Sequence, residues 1–387
     1  MKIDKSKPLD WLYLVLFGIV VLFALILRPF VRKNNGLKTV VLYGHKLNSN
    51  LKGIYDFSRS FKANPLNVYY LTMDPAYYHE LNACGINTLL ATKLSTAVIL
   101  ARTRCIVSDH GLHLLIILLK FTKIKFVDVW HGIPFKGFDS EDFRVQHQYD
   151  EVWVTSALLK KLYGGQFGFN PMIVHETGYA RTDTLINKNV DINEIKHSIG
   201  ISDSNKQVIL FAPTWQQDEN NRNIFPFNTN EESFLGALNK LSVALSVVCV
   251  FRTHLNTTGL GKMEYKNILF APHSIFPDTE AILLMSDLLV CDWSSIAFDY
   301  LLLDRPTLFL DVPPPFKKGF SLDANYRFGE IVKDLPSLLS TLEYYINHPD
   351  SYGQKYGTKS QEIKKALYDD KADGFAGKRC FDRLRAL

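Results

Sequence analysis

The stretch LLVCDWSSIAFDYLLLDRPTLFLDVP, residues 288–313, decides the fold. Leu288 to Cys291 form a short apolar run that reads as a buried strand, and Asp292 to Ser295 form a small polar turn. An apolar helix follows and ends at Leu301 to Leu303; Pro306 then leads into a second strand, Thr307 to Leu310. Such a strand–turn–helix–strand succession is the repeating unit of a parallel α/β sheet. The turn sits where a helix begins, so its backbone N–H groups and the helix dipole favour phosphate oxygens. Ser294 or Ser295 merely capping the helix gives the same letters. The segment alone leaves both readings open.

Working outward, Thr39 to Tyr43 reads as a first strand, with Gly44 to Asn50 as its turn. Asn67 to Leu71, Cys105 to Val107 and Lys125 to Val129 continue the alternation of β-rich runs with helical stretches. The pattern restarts after residue 187 with Gln207 to Phe211, Leu245 to Phe251, Asn267 to Phe270 and the strands already named. A polar stretch between the two series, Asn187 to Asn205, supplies a linker and an entry helix. The expected division is a membrane segment at 9–31, one Rossmann-like domain at 36–187 and a second at 188–387.

Composition agrees with that division. The chain has 387 residues, enough for two α/β domains. Its 47% hydrophobic and 21% charged content excludes a disordered protein. A formal net charge of +5 is compatible with anionic lipid or phosphate-bearing substrates without requiring either. No nucleic-acid signature or long Lys/Arg run is present, so a nucleic-acid partner is not expected. Cys84, Cys105, Cys249, Cys291 and Cys380 are scattered without a CxxC pair, which favours reduced, buried thiols over disulfides or zinc. HExxH is absent, and Asp139-Ser140-Glu141 reads as a solvated loop, so no metal is expected.

Trp11 to Leu27 is uncharged and almost wholly apolar. Counting Leu9, Phe30 and Val31, it approaches the ~20 residues of a spanning helix. Arg28, Arg32 and Lys33 follow where a signal peptide would show small residues at a cleavage site. The run is apolar all round, which favours an anchor over a surface helix. Lys2, Lys5 and Lys7 before it and Arg28, Arg32, Lys33 and Lys38 after it slightly favour a cytoplasmic C-terminal side. Because the first strand begins near Thr39, deletion of residues 1–33 is expected to leave a folded domain.

Other strings run from β-rich stretches into polar residues: WHGIPFKG at 130–137, GYARTD at 178–183, ILFAPTW at 209–215 and VVCVFRTH at 247–254, with a late DG at 373–374. In a parallel sheet such residues converge at the carboxyl ends of strands. In this order, and together with the Asp-x-Ser-Ser turn, the strings resemble the CDP-glycerol glycerophosphotransferase family, the teichoic acid primases and polymerases. The resemblance runs over about residues 38 to 385. Ile133, Ala180, Gln216, Leu255 and Trp293 stand where that family usually has Thr, Pro, Arg, Pro and Tyr.

The resemblance implies a GT-B architecture, two Rossmann-like domains facing a cleft. It implies transfer of glycerol phosphate, or a related polyol phosphate, from CDP-glycerol or CDP-ribitol to a hydroxyl of a lipid-linked saccharide or polyol phosphate, releasing CMP. No cofactor is implied. Membrane lipid is an implied partner, and the catalytic part is expected on the cytoplasmic side of the cell membrane. Attack on phosphorus needs the acceptor hydroxyl to lose its proton, and histidine suits that task near neutral pH. His131, on a turn bent by Gly132 and Pro134, is therefore the expected general base. His254, supported by Arg252, is expected at the pyrophosphate, where the leaving CMP develops negative charge.

Thr214 is expected near phosphate and Trp215 near the ligand or the core. Ser294 and Ser295 are expected to donate to the pyrophosphate, with Asp292 orienting them. Asp373, Gly374 and Arg379 resemble the family's closing motif, in which Arg379 would reach a phosphate. Arg181 and Asp183 fit either the site or an ion pair bracing the region between the domains. Two rival readings remain at this level: a GT-B glycosyltransferase using a nucleotide sugar, and an inactive, membrane-tethered binding protein.

Overall fold

The computed structural model describes residues 7–31, 37–61, 64–214, 225–252, 265–273 and 275–387. Contacts divide the chain into two compact units. The first holds Met1–His131, Asp139–Asp183 and Lys371–Leu387; the second holds Gly132–Phe138 and Thr184–Asp370.

The first unit is built on β1 (Lys38–Tyr43), β2 (Leu66–Thr72), β3 (Thr88–Leu90), β4 (Thr103–Ser108), β5 (Lys125–Asp128), β6 (Glu151–Val154) and β7 (Val174–Glu176). They form one parallel sheet in the order β3-β2-β1-β4-β5-β6-β7. Side chains alternate between its faces. Val40 and Leu42 join one apolar cluster with Leu51 and Ile54 of helix α2 (Ser49–Ser60), while Val41 and Tyr43 join another on the opposite face. Sequence order along the sheet reverses between β1 and β4. That switch point is where a parallel sheet opens a crevice beyond its carboxyl ends.

The second unit carries β8 (Val208–Ala212), β9 (Val248–Phe251), β10 (Ile268–Phe270), β11 (Leu288–Cys291), β12 (Thr307–Leu310) and β13 (Glu330–Val332). These are parallel in the order β10-β9-β8-β11-β12-β13, so the reversal lies between β8 and β11. The entry helix is Ile192–Ile199, begun by the Asp191 side chain and ended by Gly200 in the left-handed conformation. The strand expected from Leu245 shortens to Val248–Phe251, because helix Glu231–Ala244 runs up to Leu245 and Ser246 turns the chain at φ 57°.

Two expectations change. Helix α1 (Pro8–Leu27) is long and apolar enough to cross a membrane, but it is not separate from the domain behind it. Phe17, Val20, Val21 and Ala24 are buried in the cluster that holds Val41, Tyr43, Ala97, Leu100 and Ile106. Arg28 pins the end of α1 by donating to the Ala101 and Thr103 carbonyls at 3.0 and 3.1 Å. Its other side, including Leu12, Val15, Ile19, Leu22 and Ile26, is exposed. The helix reads as apolar all round because one face meets protein and the other is apolar as well.

The second change concerns the chain's last helix, Ala376–Ala386, which the expected boundary placed with residues 188–387. It packs on α2 of the first unit, and Cys380, Phe381 and Leu384 fill that unit's core. Phe381 stacks on Phe61 at 5.0 Å and meets Phe57 at 5.6 Å. Buried Glu151 accepts from Arg383 Nε at 2.7 Å and from Trp153 Nε1 at 2.7 Å. The main passage to the second unit comes at Asp183/Thr184.

Candidate functional site

In the first unit, three strands end on titratable residues: β1 runs into Gly44 and His45, β4 into Asp109 and His110, and β5 through Asp128 into Trp130 and His131. The rings of His110 and His131 are stacked, with centroids 4.7 Å apart and planes 11° from parallel. His45 flanks His110 at 4.4 Å, and Trp130 flanks His131 at 4.4 Å. His131 Nδ1 lies 3.2 Å from the Asp109 carbonyl, an acceptor, so the proton sits on Nδ1 and Nε2 keeps its lone pair. His131 presents an exposed edge, yet protein surrounds it closely enough that desolvation, and then the charge of His110, push it below the usual histidine range.

The turn bearing His131 is held from below. Asn50 is 1% exposed and donates through Nδ2 to the carbonyls of Val129 and Trp130, both at 2.8 Å. Its Oδ1 accepts from the Arg181 backbone N–H at 3.2 Å, and Arg181 Nη1 donates to the His131 carbonyl at 2.8 Å and to Ser49 Oγ at 3.2 Å. These bonds hold an unusual backbone: Trp130 has φ 33° and Gly132 φ 153°. Asn50→Leu should therefore cost about 2–4 kcal/mol of stability, since a buried and a partly buried carbonyl lose their donor. Denaturant unfolding of the pair of proteins measures it, and an unchanged midpoint would show that the turn holds itself.

In the second unit the switch point is tied across the ends of β8 and β11. Asp292, 1% exposed, accepts on one oxygen from the Thr214 N–H at 2.8 Å, the Thr214 hydroxyl and the Trp293 N–H at 2.7 Å. Ser294 and Ser295 follow, partly exposed, at the start of helix Ile296–Leu301, and the Ser295 side chain makes no capping bond. Trp293 is core: Nε1 donates to the Val312 carbonyl at 2.8 Å, and its ring meets Phe320 at 4.9 Å, Phe135 at 5.9 Å and the Arg327 guanidinium at 4.2 Å.

Other expected site residues are placed differently. Arg252 is 7% exposed and donates to the carbonyls of Ala271 and Phe276 and to Thr279 Oγ1, so it braces the loop before helix Thr279–Met285. Burial, partly offset by Glu280 and Asp278, lowers its pKa to about 10. Arg379, expected to reach a phosphate, instead bonds the Thr177 and Lys371 carbonyls and both oxygens of Asp373. Asp183 does not pair with Arg181; it accepts from the N–H groups of Ala376 and Gly377 at 2.9 and 2.7 Å, capping the last helix. With Gly374 at φ 82°, the late motif is a lock for that helix. His254 and Trp215 lie outside the described residues.

The sequence reading missed His45, Asn50, Asp109, His110 and Asp128. Their signal is positional, polar residues at or just past the carboxyl ends of β1, β4 and β5, with Asn50 at the start of α2, and it is visible only once the strand order is known. Asp128 is wholly buried, and that burial, followed by the neighbouring Asp109, pushes its carboxyl up to about 8. Among the described residues, no group of three or more His, Cys, Asp or Glu side chains is arranged to hold a metal ion.

Known proteins resemble this chain in sequence and fold. The profile of the CDP-glycerol:poly(glycerophosphate) glycerophosphotransferase family matches residues 23–379. The teichoic acid glycerol-phosphate transferase of Staphylococcus aureus (strain NCTC 8325 / PS 47) is 27% identical over 289 residues, covering 65% of this chain and 73% of that protein. The teichoic acid poly(glycerol phosphate) polymerase of Bacillus subtilis (strain 168) is 26% identical over 81% of this chain, which spans 44% of its length. In fold, the wall teichoic acid polymerase TagF superimposes with a TM-score of 0.73 at 20% identity, covering 98% of each chain.

Proposed function

Because this chain belongs to the CDP-glycerol:poly(glycerophosphate) glycerophosphotransferase family, we propose that it transfers glycerol phosphate, or a related polyol phosphate, from a CDP-alcohol to an acceptor hydroxyl in teichoic-acid-like polymer synthesis. The observation that carries this reading is the state of His131: exposed, fixed through Nδ1, and held as a free base with Nε2 able to accept. The acceptor oxygen attacks the glycerol-bearing phosphorus while its proton passes to Nε2. The bond from that phosphorus to the bridging oxygen breaks, and CMP leaves with that oxygen and the electron pair.

Donor phosphates are assigned to the second switch point, where Ser294 and Ser295 offer hydroxyls and Asp292 fixes the turn without facing the anion. Ser294→Ala with Ser295→Ala should weaken CDP-glycerol binding by about 1.5–3 kcal/mol for each bond lost. Calorimetric titration reads this directly; an unchanged isotherm moves the donor elsewhere. The reaction itself is tested by incubating the protein and a lipid-linked acceptor with CDP-glycerol, CDP-ribitol or a UDP-sugar. CMP release supports the reading, and UDP release with the sugar transferred would replace it by glycosyl transfer.

The same reading covers the membrane. The exposed apolar face of α1 is assigned to a bilayer, with its opposite face docked on helix Leu94–Arg102. Such a helix lies along the lipid surface as part of the first unit and brings the domain to a lipid-linked acceptor at the cytoplasmic side of the cell membrane.

A further inference from the structure

Assigning His131 as base leaves the two imidazoles beside it without a role. His110 is the central ring of the row, between His45 and His131, and its Nδ1 lies 2.7 Å from Asp109 Oδ1. Asp109 thus orders two rings at once, His110 through its carboxylate and His131 through its backbone carbonyl. The carboxylate is tightly seated: it is buried, and a Cβ at Gly44 would collide with Oδ1. We propose that His110, clamped by the Asp109 carboxylate and stacked face to face on His131, is a positioning residue that holds His131 in the unprotonated state in which it can take the acceptor's proton. This rests on the reading of His131 as the general base.

Near-parallel rings cannot share a hydrogen bond, because their N–H groups lie in the ring planes, so His110 acts on His131 through charge and contact. A cation at His110 opposes a second cation on the ring stacked against it. The charged and titratable groups around the pair favour this. Burial alone would lower His110, but the charge and hydrogen bond of Asp109 more than offset it and raise the imidazole above its usual value. Burial, then His110, lowers His45 on the opposite flank to about 4, and burial lowers His113 beyond it. With Asp128 held protonated at neutral pH, Asp109 supplies the countercharge for His110, while Arg181 adds its positive charge near the His131 carbonyl. The row therefore sets an imidazole inclined to hold a proton between two inclined to stay neutral. A proton accepted by His131 from the acceptor hydroxyl is readily discharged to solvent at the exposed edge, readying the base for another turnover.

The test uses the full chain in detergent and two variants. His110→Phe keeps a stacked ring without charge, and His110→Gln keeps a donor for Asp109 without charge. Titration of isotope-labelled histidines by NMR gives the His131 midpoint, and the pH profile of kcat with CDP-glycerol gives the acid limb. Both should move upward together, by about one pH unit, in each variant, with the donor KM little changed. A His131 midpoint that stays in place or falls in a folded variant overturns the proposal. Full turnover in His131→Ala would instead overturn the base reading, and the NMR titration would still decide whether His110 sets the state of its neighbour.

Discussion

His131→Ala should lower turnover by about 10²–10⁴-fold while leaving donor binding nearly unchanged. The size follows from removing a positioned proton acceptor; the selectivity follows from its location. His131 stands at the end of β5 in the first unit, whereas the groups assigned to the donor, Thr214, Asp292, Ser294 and Ser295, stand at the ends of β8 and β11. Because the surrounding protein and His110 hold His131 low, activity in the unmodified protein should persist below pH ~6.5, where an ordinary histidine would already be mostly charged. Steady-state kinetics with measured donor affinity decide it. Retained turnover removes His131 from the chemistry, and a loss confined to donor affinity moves it to the binding side.

Deleting residues 1–33 should unfold the first unit or leave it aggregating, contrary to what the sequence suggests. Phe17, Val20 and Val21 are fully buried, and burying such side chains stabilises by about 1.5–3 kcal/mol each. Their combined loss is comparable with the whole stability of a domain, about 5–15 kcal/mol. Substituting the outer face alone, Val15, Ile19, Leu22 and Ile26 to Ser, removes the exposed apolar side chains proposed to meet lipid and leaves the docked ones. That variant should leave the membrane fraction, keep its thermal midpoint and remain active on a soluble acceptor. A truncated protein that unfolds cooperatively at the original temperature would show that the docking of α1 contributes nothing.

The sequence carried much of the fold because a parallel sheet writes itself as short apolar runs: the runs at 39–43, 67–71, 105–107 and 125–129, and those of the second series, all contain strands. β3, β6, β7 and β13 escaped: all are short, and β6, β7 and β13 each carry a glutamate that interrupts the apolar run. His131, Asp292 and the serine pair were legible because each follows a strand within a recognisable string. His110 and Asn50 were not, since the His131 ring that His110 stacks on lies 21 residues away and the Val129 carbonyl that Asn50 holds lies 79 away, and only the strand order β1-β4-β5 brings them together. Arg252 and Arg379 show the converse limit. An arginine's letter says that it has donors, and only the fold says which carbonyls already hold them.

Cys380, Phe381 and Leu384 fill the cluster of the first sheet, although nearly all of the second unit separates them in sequence from β7. On a ribosome adding about 5–20 residues per second, the strands of that sheet emerge well before the helix that covers one of their faces. The nascent chain must carry an open apolar face through the synthesis of another complete sheet, a loop closure of high contact order. Completion of the first unit thereby waits on synthesis of the second. A ribosome that stalls in the second unit releases a product whose His131 sits on an unfinished core, exposed to chaperones and proteases.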